Sequence, residues 1–218
     1  MIRHGMTFGN TLRRYIGRTD EPLCEEGRRV LEEVIPPVVS RVYASPMKRC
    51  IETAGILFPG VEPVVVDDFR ECDFGDFENR NYKELDGNKD YQAFVDSGAT
   101  LPFPNGESRE GFQERCVRAF REVAEREACC AAEDCRGAEP ETDVRDGAGA
   151  FGCTDIARVV HGGTIMSILG EFADPKEDYF YWQAANGEGF VCTLGESKDG
   201  GIRLYDIQYL GSDFRDPS

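Results

Sequence analysis

The chain has 218 residues, 40% of them hydrophobic and 30% charged, which suits one globular domain and is too apolar for a disordered or collagen-like chain. With 25 Lys and Arg against 41 Asp and Glu, the net charge of −16 repels nucleic acid backbones and anionic membranes, so neither is an expected partner. No apolar run reaches the roughly 18 to 20 residues of a membrane span, and Met1-Ile2-Arg3-His4 offers no signal-peptide core, so a cytoplasmic enzyme is expected.

In chain order, short β-branched runs alternate with helical patterns, which predicts an α/β fold: a three-layer α/β/α sandwich around a mostly parallel sheet. Strands are expected at Val42 to Ser45, Val64 to Asp67, Ile156 to His161, Phe190 to Leu194 and Ile202 to Ile207, the last two closing as an antiparallel hairpin. Ser45-Pro46 predicts a helix start, with serine as N-cap and Met47, Ile51, Ala54 and Phe58 at helical spacing, placing Arg49 in the first turn. A second helix is expected over Glu107 to Glu127, where Phe112, Cys116, Phe120 and Val123 form a core-facing stripe.

Residues 129–154 lose all periodicity and read as a surface excursion from a single domain spanning 1–218. Cys129, Cys130, Cys135 and Cys153 in and beside it match no paired CxxC spacing and have no histidine nearby, so zinc is not expected there. Cys50, Cys116 and Cys192 sit in regular patterns as small apolar residues would, and reduced thiols are expected throughout.

Only two histidines occur, His4 in Arg3-His4-Gly5 and His161 in Val160-His161-Gly162-Gly163, each where a strand is expected to end. In an open α/β sheet ligands bind beyond the carboxyl ends of the strands, so two histidines 157 positions apart can face each other. The series continues through Asn10, Gly17-Arg18-Thr19-Asp20, Pro22-Leu23, Gly27, Ser45 to Arg49 with Thr53-Ala54, Arg70-Glu71 with Gly75 and Phe77-Glu78, and Pro104 to Ser108.

That ordered set, from residue 2 to about residue 170, resembles the histidine phosphatase superfamily, the phosphoglycerate mutase-like group. The resemblance implies a phosphohistidine mechanism with His4 as nucleophile, its second nitrogen held by the Gly5 carbonyl, and with Arg3, Arg49 and His161 gripping the phosphoryl group. Physical reasoning asks for the same set. A phosphomonoester carries up to two charges on three acceptor oxygens, and its transfer needs fixed cationic donors around them. Arg3 and Arg49 supply guanidinium forks, Arg49 at a helix start whose free amides also favour an anion; Asn10 adds an amide donor, and Gly162 beside His161 is counted with the substrate-binding set.

Histidine has an ordinary pKa of about 6.5, so a neutral nucleophilic nitrogen is available at neutral pH. Glu71 is nominated as the acid that protonates the leaving group and then, as base, activates water; Glu78 is the reserve in a stretch crowded with carboxylates. No metal or other cofactor is called for.

Two departures from the family pattern stand out. Only Met1 and Ile2 precede the Arg3-His4-Gly5 motif, so either residues lie upstream of Met1 or the sheet tolerates a very short strand that places His4 loosely. Pro22-Leu23-Cys24 replaces the usual Pro-Leu-Thr, removing a hydroxyl cap from the next helix.

A cap is expected over residues 76–108, where Tyr82, Tyr91, Phe94, Leu101 and Phe103 either pack a core or line a pocket for a ring-bearing leaving group. This segment resembles the small phosphatase branch that includes α-ribazole phosphatase more than the longer insert of the mutases. The expected function is therefore hydrolysis of a small phosphorylated metabolite. The alternatives are a cofactor-dependent phosphoglycerate mutase-type transferase and a non-catalytic phospho-ligand binding domain.

Overall fold

The computed structural model describes residues 1–134, 155–197 and 200–211, with side chains placed outside residues 129–134. Its centre is a six-stranded sheet in the order β3-β2-β4-β1-β5-β6. The strands are β1 (Ile2–Arg3), β2 (Arg41–Ala44), β3 (Val64–Val65), β4 (Ile156–Val160), β5 (Gly189–Glu196) and β6 (Ile202–Leu210). The first four run parallel, and β5 and β6 add an antiparallel edge.

Alternation along the strands makes the sheet two-faced. Val42, Ala44, Ala157 and Val159 pack on one side with Leu31 of α2 (Glu25–Glu32) and with Cys50, Ala54 and Leu57 of α3 (Lys48–Leu57). Tyr43 and Val160 point to the other, where α5 (Arg109–Asp134) contributes Phe120 and Val123 and α6 (Gly162–Phe172) contributes Ile165, Ile168 and Leu169. The result is the expected three-layer sandwich. Short α1 (Phe8–Thr11) and α4 (Lys89–Asp96) lie in the loops above it, α4 within the segment expected to form the cap.

Several local expectations are corrected. The helix after Ser45-Pro46 begins at Lys48 with Met47 in the cap position, so Ser45 is not its N-cap. Asp20, from a distant loop, instead accepts the Lys48 amide at 2.7 Å, which frees the Ser45 hydroxyl for other use. The Cys24 thiol accepts the Gly27 amide at 3.3 Å, so the α2 cap survives the replacement of a hydroxyl. Helix α5 continues through Asp134, and the excursion expected from residue 129 therefore starts as helix; residues 135–154 fall outside the described set, as do the zinc candidates Cys135 and Cys153.

Cys50 and Cys116 are fully buried, as expected of small apolar residues, whereas Cys192 is only partly so; all three are free thiols. Strand β3 spans two residues before Asp67–Phe69 coils into a tight turn that leads to Glu71.

Strand β1 is as short as its sequence implies, yet it is held on both edges. Arg3 pairs with Val160 of β4, the Arg3 amide donates to the Glu188 carbonyl at 2.8 Å, and the His4 amide donates to the Val160 carbonyl at 2.9 Å. A central position replaces length as the source of order, and His4 is not loosely placed.

Gly75 is required where the cap leaves the core. Its φ is +52°, and a Cβ there would run into the Pro104 carbonyl and crowd Gly106. Gly75→Ala is expected to lower the unfolding free energy by about 1–3 kcal/mol, read from urea denaturation; an unchanged midpoint would show that this junction relaxes freely.

Candidate active site

Parallel register brings the site together. Ala44 of β2 pairs with Val159 of β4, and Val160 pairs with Arg3 of β1, so the next residues of three adjacent strands, Ser45, His161 and His4, emerge in a row at the carboxyl edge. The two imidazoles lie with ring centroids 5.1 Å apart and planes at 66°. His4 Nδ1 bonds the Gly5 carbonyl at 2.7 Å, which assigns the proton to Nδ1 and leaves Nε2 with its lone pair. The Gly5 amide in turn donates to Thr53 Oγ1 at 2.9 Å, and that hydroxyl donates to the Arg49 carbonyl at 2.6 Å, fixing the strand end to α3. His161 Nε2 lies 2.8 Å from Ser45 Oγ, with the neutral Cys50 thiol at 3.6 Å.

Arg49 is completely buried, and no carboxylate pairs with it or with Arg3 among the described residues. The Arg49 guanidinium is clasped by backbone carbonyls, donating to Thr19 and to Gly17 at 2.9 Å each. Arg3 donates to the Ala184 carbonyl at 2.8 Å. The Nε of each is buried with no partner. An unpaired buried cation costs several kcal/mol in desolvation, and two sharing one region concentrate positive charge that an anion can neutralise.

These charges and the exclusion of water set the proton affinities. His4 is held well below the usual histidine range by burial, then by Arg49 and Arg3. His161 is lowered likewise, by burial, Arg49, His4 and Arg3. Glu71 moves the other way: burial raises its pKa, opposed by the Cys72 amide, Arg49, Arg3 and the Gly163 amide. Its Oε1 accepts the Cys72 amide at 2.9 Å, and a Cβ on Gly163 would stand 2.7 Å from the same oxygen, so the second glycine after His161 admits this carboxyl.

Glu78, the reserve acid, has another task. Its Oε1 accepts the amides of Gly17 at 2.8 Å and Thr19 at 2.9 Å, the loop whose carbonyls clasp Arg49. Asn10 closes a capping box with Thr7, and its Oδ1 also accepts Asn186 Nδ2 at 3.2 Å, leaving its amide nitrogen to donate. Gly162 opens α6 against Arg3, the guanidinium carbon 3.5 Å from where its Cβ would sit.

A cavity of about 440 Å³ is walled on one side by Arg3, Glu71, Cys72, Gly162 and Gly163. His4, Arg49 and His161, at 4%, 0% and 0% exposure, do not form its wall. Of the predicted cap residues, Phe94 and Phe103 both pack the cap core and face this cavity, Tyr91 packs the core alone, and Tyr82 and Leu101 are exposed and serve neither role.

Three contributors escaped the sequence reading. Ser45 was hidden by its likeness to a helix cap. Asn186, which donates to the His4 carbonyl at 3.1 Å, and Arg109, on the cavity wall, carry no motif.

The sequence model of the histidine phosphatase superfamily (branch 1) matches residues 1–130, and the chain belongs to that family. Among curated relatives, phosphoglycerate mutase-like protein 4 of Arabidopsis thaliana is 31% identical over 137 residues, covering 58% of this chain and 60% of the relative. The uncharacterized phosphatase PhoE of Bacillus subtilis is 31% identical over 129 residues, covering 56% and 62%. The chain thus spans about 60% of the length of these relatives. The fold is that of the α-ribazole phosphatase from Shigella flexneri, with a TM-score of 0.72 over 97% of this chain and 94% of that one at 18% identity.

No group of three or more His, Cys, Asp or Glu side chains among the described residues could hold a metal ion, and no described helix is long and apolar enough to cross a membrane.

Acid sensitivity follows from the lowered histidines. Once unfolded, each takes up a proton below its ordinary pKa of about 6.5, while in the fold it stays neutral, so stability present above that pH is lost as pH falls, by up to about 1.4 kcal/mol per pH unit for each histidine. Glu71, with its pKa raised, acts in the opposite sense below its folded value and offsets part of the loss. In phosphate-free buffer the unfolding free energy should drop between pH 7 and 5.5, and His161→Gln should flatten that slope; equal slopes for both proteins would contradict the assignment of buried neutral imidazoles.

Proposed function

We propose that the protein is a metal-independent phosphomonoesterase that works through phosphohistidine at His4. The observation that carries this reading is the pair of buried guanidinium groups without carboxylate partners beside a neutral imidazole whose Nδ1 is committed to a carbonyl. A phosphoryl group entering past Arg3 and Gly162 meets Arg3, Arg49 and His161 with its oxygens, and the Asn10 amide and the first turn of α6 add neutral donors.

In the first half reaction His4 Nε2 attacks phosphorus and the bond from phosphorus to the ester oxygen breaks. The electron pair leaves on that oxygen, which takes the proton of the Glu71 carboxyl. In the second, the Glu71 carboxylate removes a proton from water as the water oxygen attacks phosphorus. The P–N bond breaks, and phosphate and neutral His4 are released. Burial supports Glu71 in this part because it makes the carboxyl hold its proton until an alkoxide needs it. Charge neutralisation comes from the side chains, so chelators should leave the rate unchanged.

The mutase alternative shares the first half reaction and returns the phosphoryl group to a sugar acid. A cavity of about 440 Å³ walled largely by aromatic rings fits a larger and less polar leaving group than that, which favours hydrolysis. Phosphoglycerate interconversion dependent on added bisphosphoglycerate, faster than phosphate release, would reverse this preference.

His4→Ala should abolish release of phosphate from an aryl phosphate while leaving the far-ultraviolet circular dichroism unchanged; wild-type rates in that variant would reject His4 as nucleophile. Glu71→Gln should slow alkyl phosphates by about 10²–10⁴-fold and nitrophenyl phosphate far less, because a good leaving group needs little protonation. Equal slowing of both would remove Glu71 from the acid role.

A further inference from the structure

Away from Arg3, Glu71 and the Gly162-Gly163 pair, the cavity wall is mainly aromatic. Phe103 and Phe112 present rings from the cap and from α5, and Tyr179 and Phe180 from the turn Tyr179–Trp182. Phe180 is 57% exposed, a ring on the cavity that the core does not use. The volume of about 440 Å³ falls in the range of about 300–1,000 Å³ over which such sites enclose ring-bearing ligands.

Arg109 stands on the same wall. Its guanidinium lies 4.5 Å from the Tyr179 ring centroid and 5.1 Å from that of Phe180, and among the described residues it makes no ion pair or hydrogen bond. In a chain with 41 acidic residues, an arginine held only by ring faces keeps the N–H donors of its edge open to a ligand. Arg3 and Arg49 already supply the cations that lower the pKa of both imidazoles.

We propose that this cavity selects phosphomonoesters whose leaving group is a flat apolar ring carrying an anionic substituent. The ring packs on Phe103, Phe112 and Phe180 and the substituent pairs with Arg109, which makes Arg109 a specificity-determining residue. The inference rests on the phosphatase reading of the same site. Aromatic packing supplies affinity through buried apolar area, and the stacked guanidinium discriminates by charge because an anion next to it is partly shielded from water.

Four esters of primary alcohols separate the two features while keeping leaving-group chemistry similar: propyl phosphate, 3-phosphoglycerate, benzyl phosphate and 4-carboxybenzyl phosphate. Benzyl phosphate should exceed propyl phosphate in kcat/KM by about tenfold or more, and the carboxylate should add about a further tenfold on the ring-bearing ester, through KM. Arg109→Gln should remove the carboxylate increment, so that 4-carboxybenzyl phosphate falls to the level of benzyl phosphate, with Arg109→Lys retaining part of it; Phe180→Ala should shrink the ratio of benzyl to propyl phosphate.

Equal kcat/KM for benzyl and propyl phosphate, or equal slowing of all four esters by Arg109→Gln, would overturn the proposal while leaving the phosphatase reading intact. Failure of all four to release phosphate would reject that reading and the specificity built on it together.

Discussion

The structure turns on the burial of two guanidinium groups that have no carboxylate partner. Arg49 is wholly inside the protein, tied only to neutral carbonyls of the loop before Asp20, and Arg3 is tied to one carbonyl near the end of the chain's turn region. Such an arrangement costs free energy, and on the proposed function an incoming phosphoryl group offsets that cost. Burial, reinforced by the same two charges, keeps both imidazoles neutral, and burial raises the pKa of Glu71 against the pull of those charges, so the proposed nucleophile, phosphoryl cradle and acid share one water-excluded environment.

Everything around the site serves that placement. The register of three parallel strands delivers His161 and His4 at one level at the carboxyl edge, with Ser45 one residue behind them. Glu78 pins the loop that clasps Arg49, and Asp20 caps α3 so that Ser45 can reach His161. Glu107 and Arg115 form an ion pair at 2.8 Å, and Arg115 also reaches the carbonyls of Asp68 and Arg70, bracing the approach to Glu71 from α5. A protein with a net charge of −16 thus keeps a small cationic interior.

The layered fold was legible because strand and helix periods are local: β-branched runs marked β2, β4, β5 and β6, and the stripe of Phe112, Cys116, Phe120 and Val123 marked α5. The pairing of His4 with His161 was legible because each follows a strand and precedes glycine. What stayed hidden depends on partners far away in sequence. Ser45 reads as a helix cap until Asp20 is seen to take that place. Glu78 competes with Glu71 on paper, and only the amides of Gly17 and Thr19 separate them. The two-residue strand β1 reads as weak because a sequence cannot show that β4 and β5 flank it. Arg109 stands at an ordinary helix start, and its place beside Tyr179 is a tertiary fact.

The central claim is that the imidazole of His4 takes the phosphoryl group covalently. Rapid mixing with an activated aryl phosphate, alkaline quenching and peptide mass spectrometry tests it directly. The account predicts one phosphoryl group, stable in alkali and lost in acid, on the peptide containing His4, appearing in a burst before steady-state release of phosphate. Turnover with no phosphopeptide at any time, together with inversion of configuration at a chiral phosphoryl centre, would show direct attack by water and contradict the account.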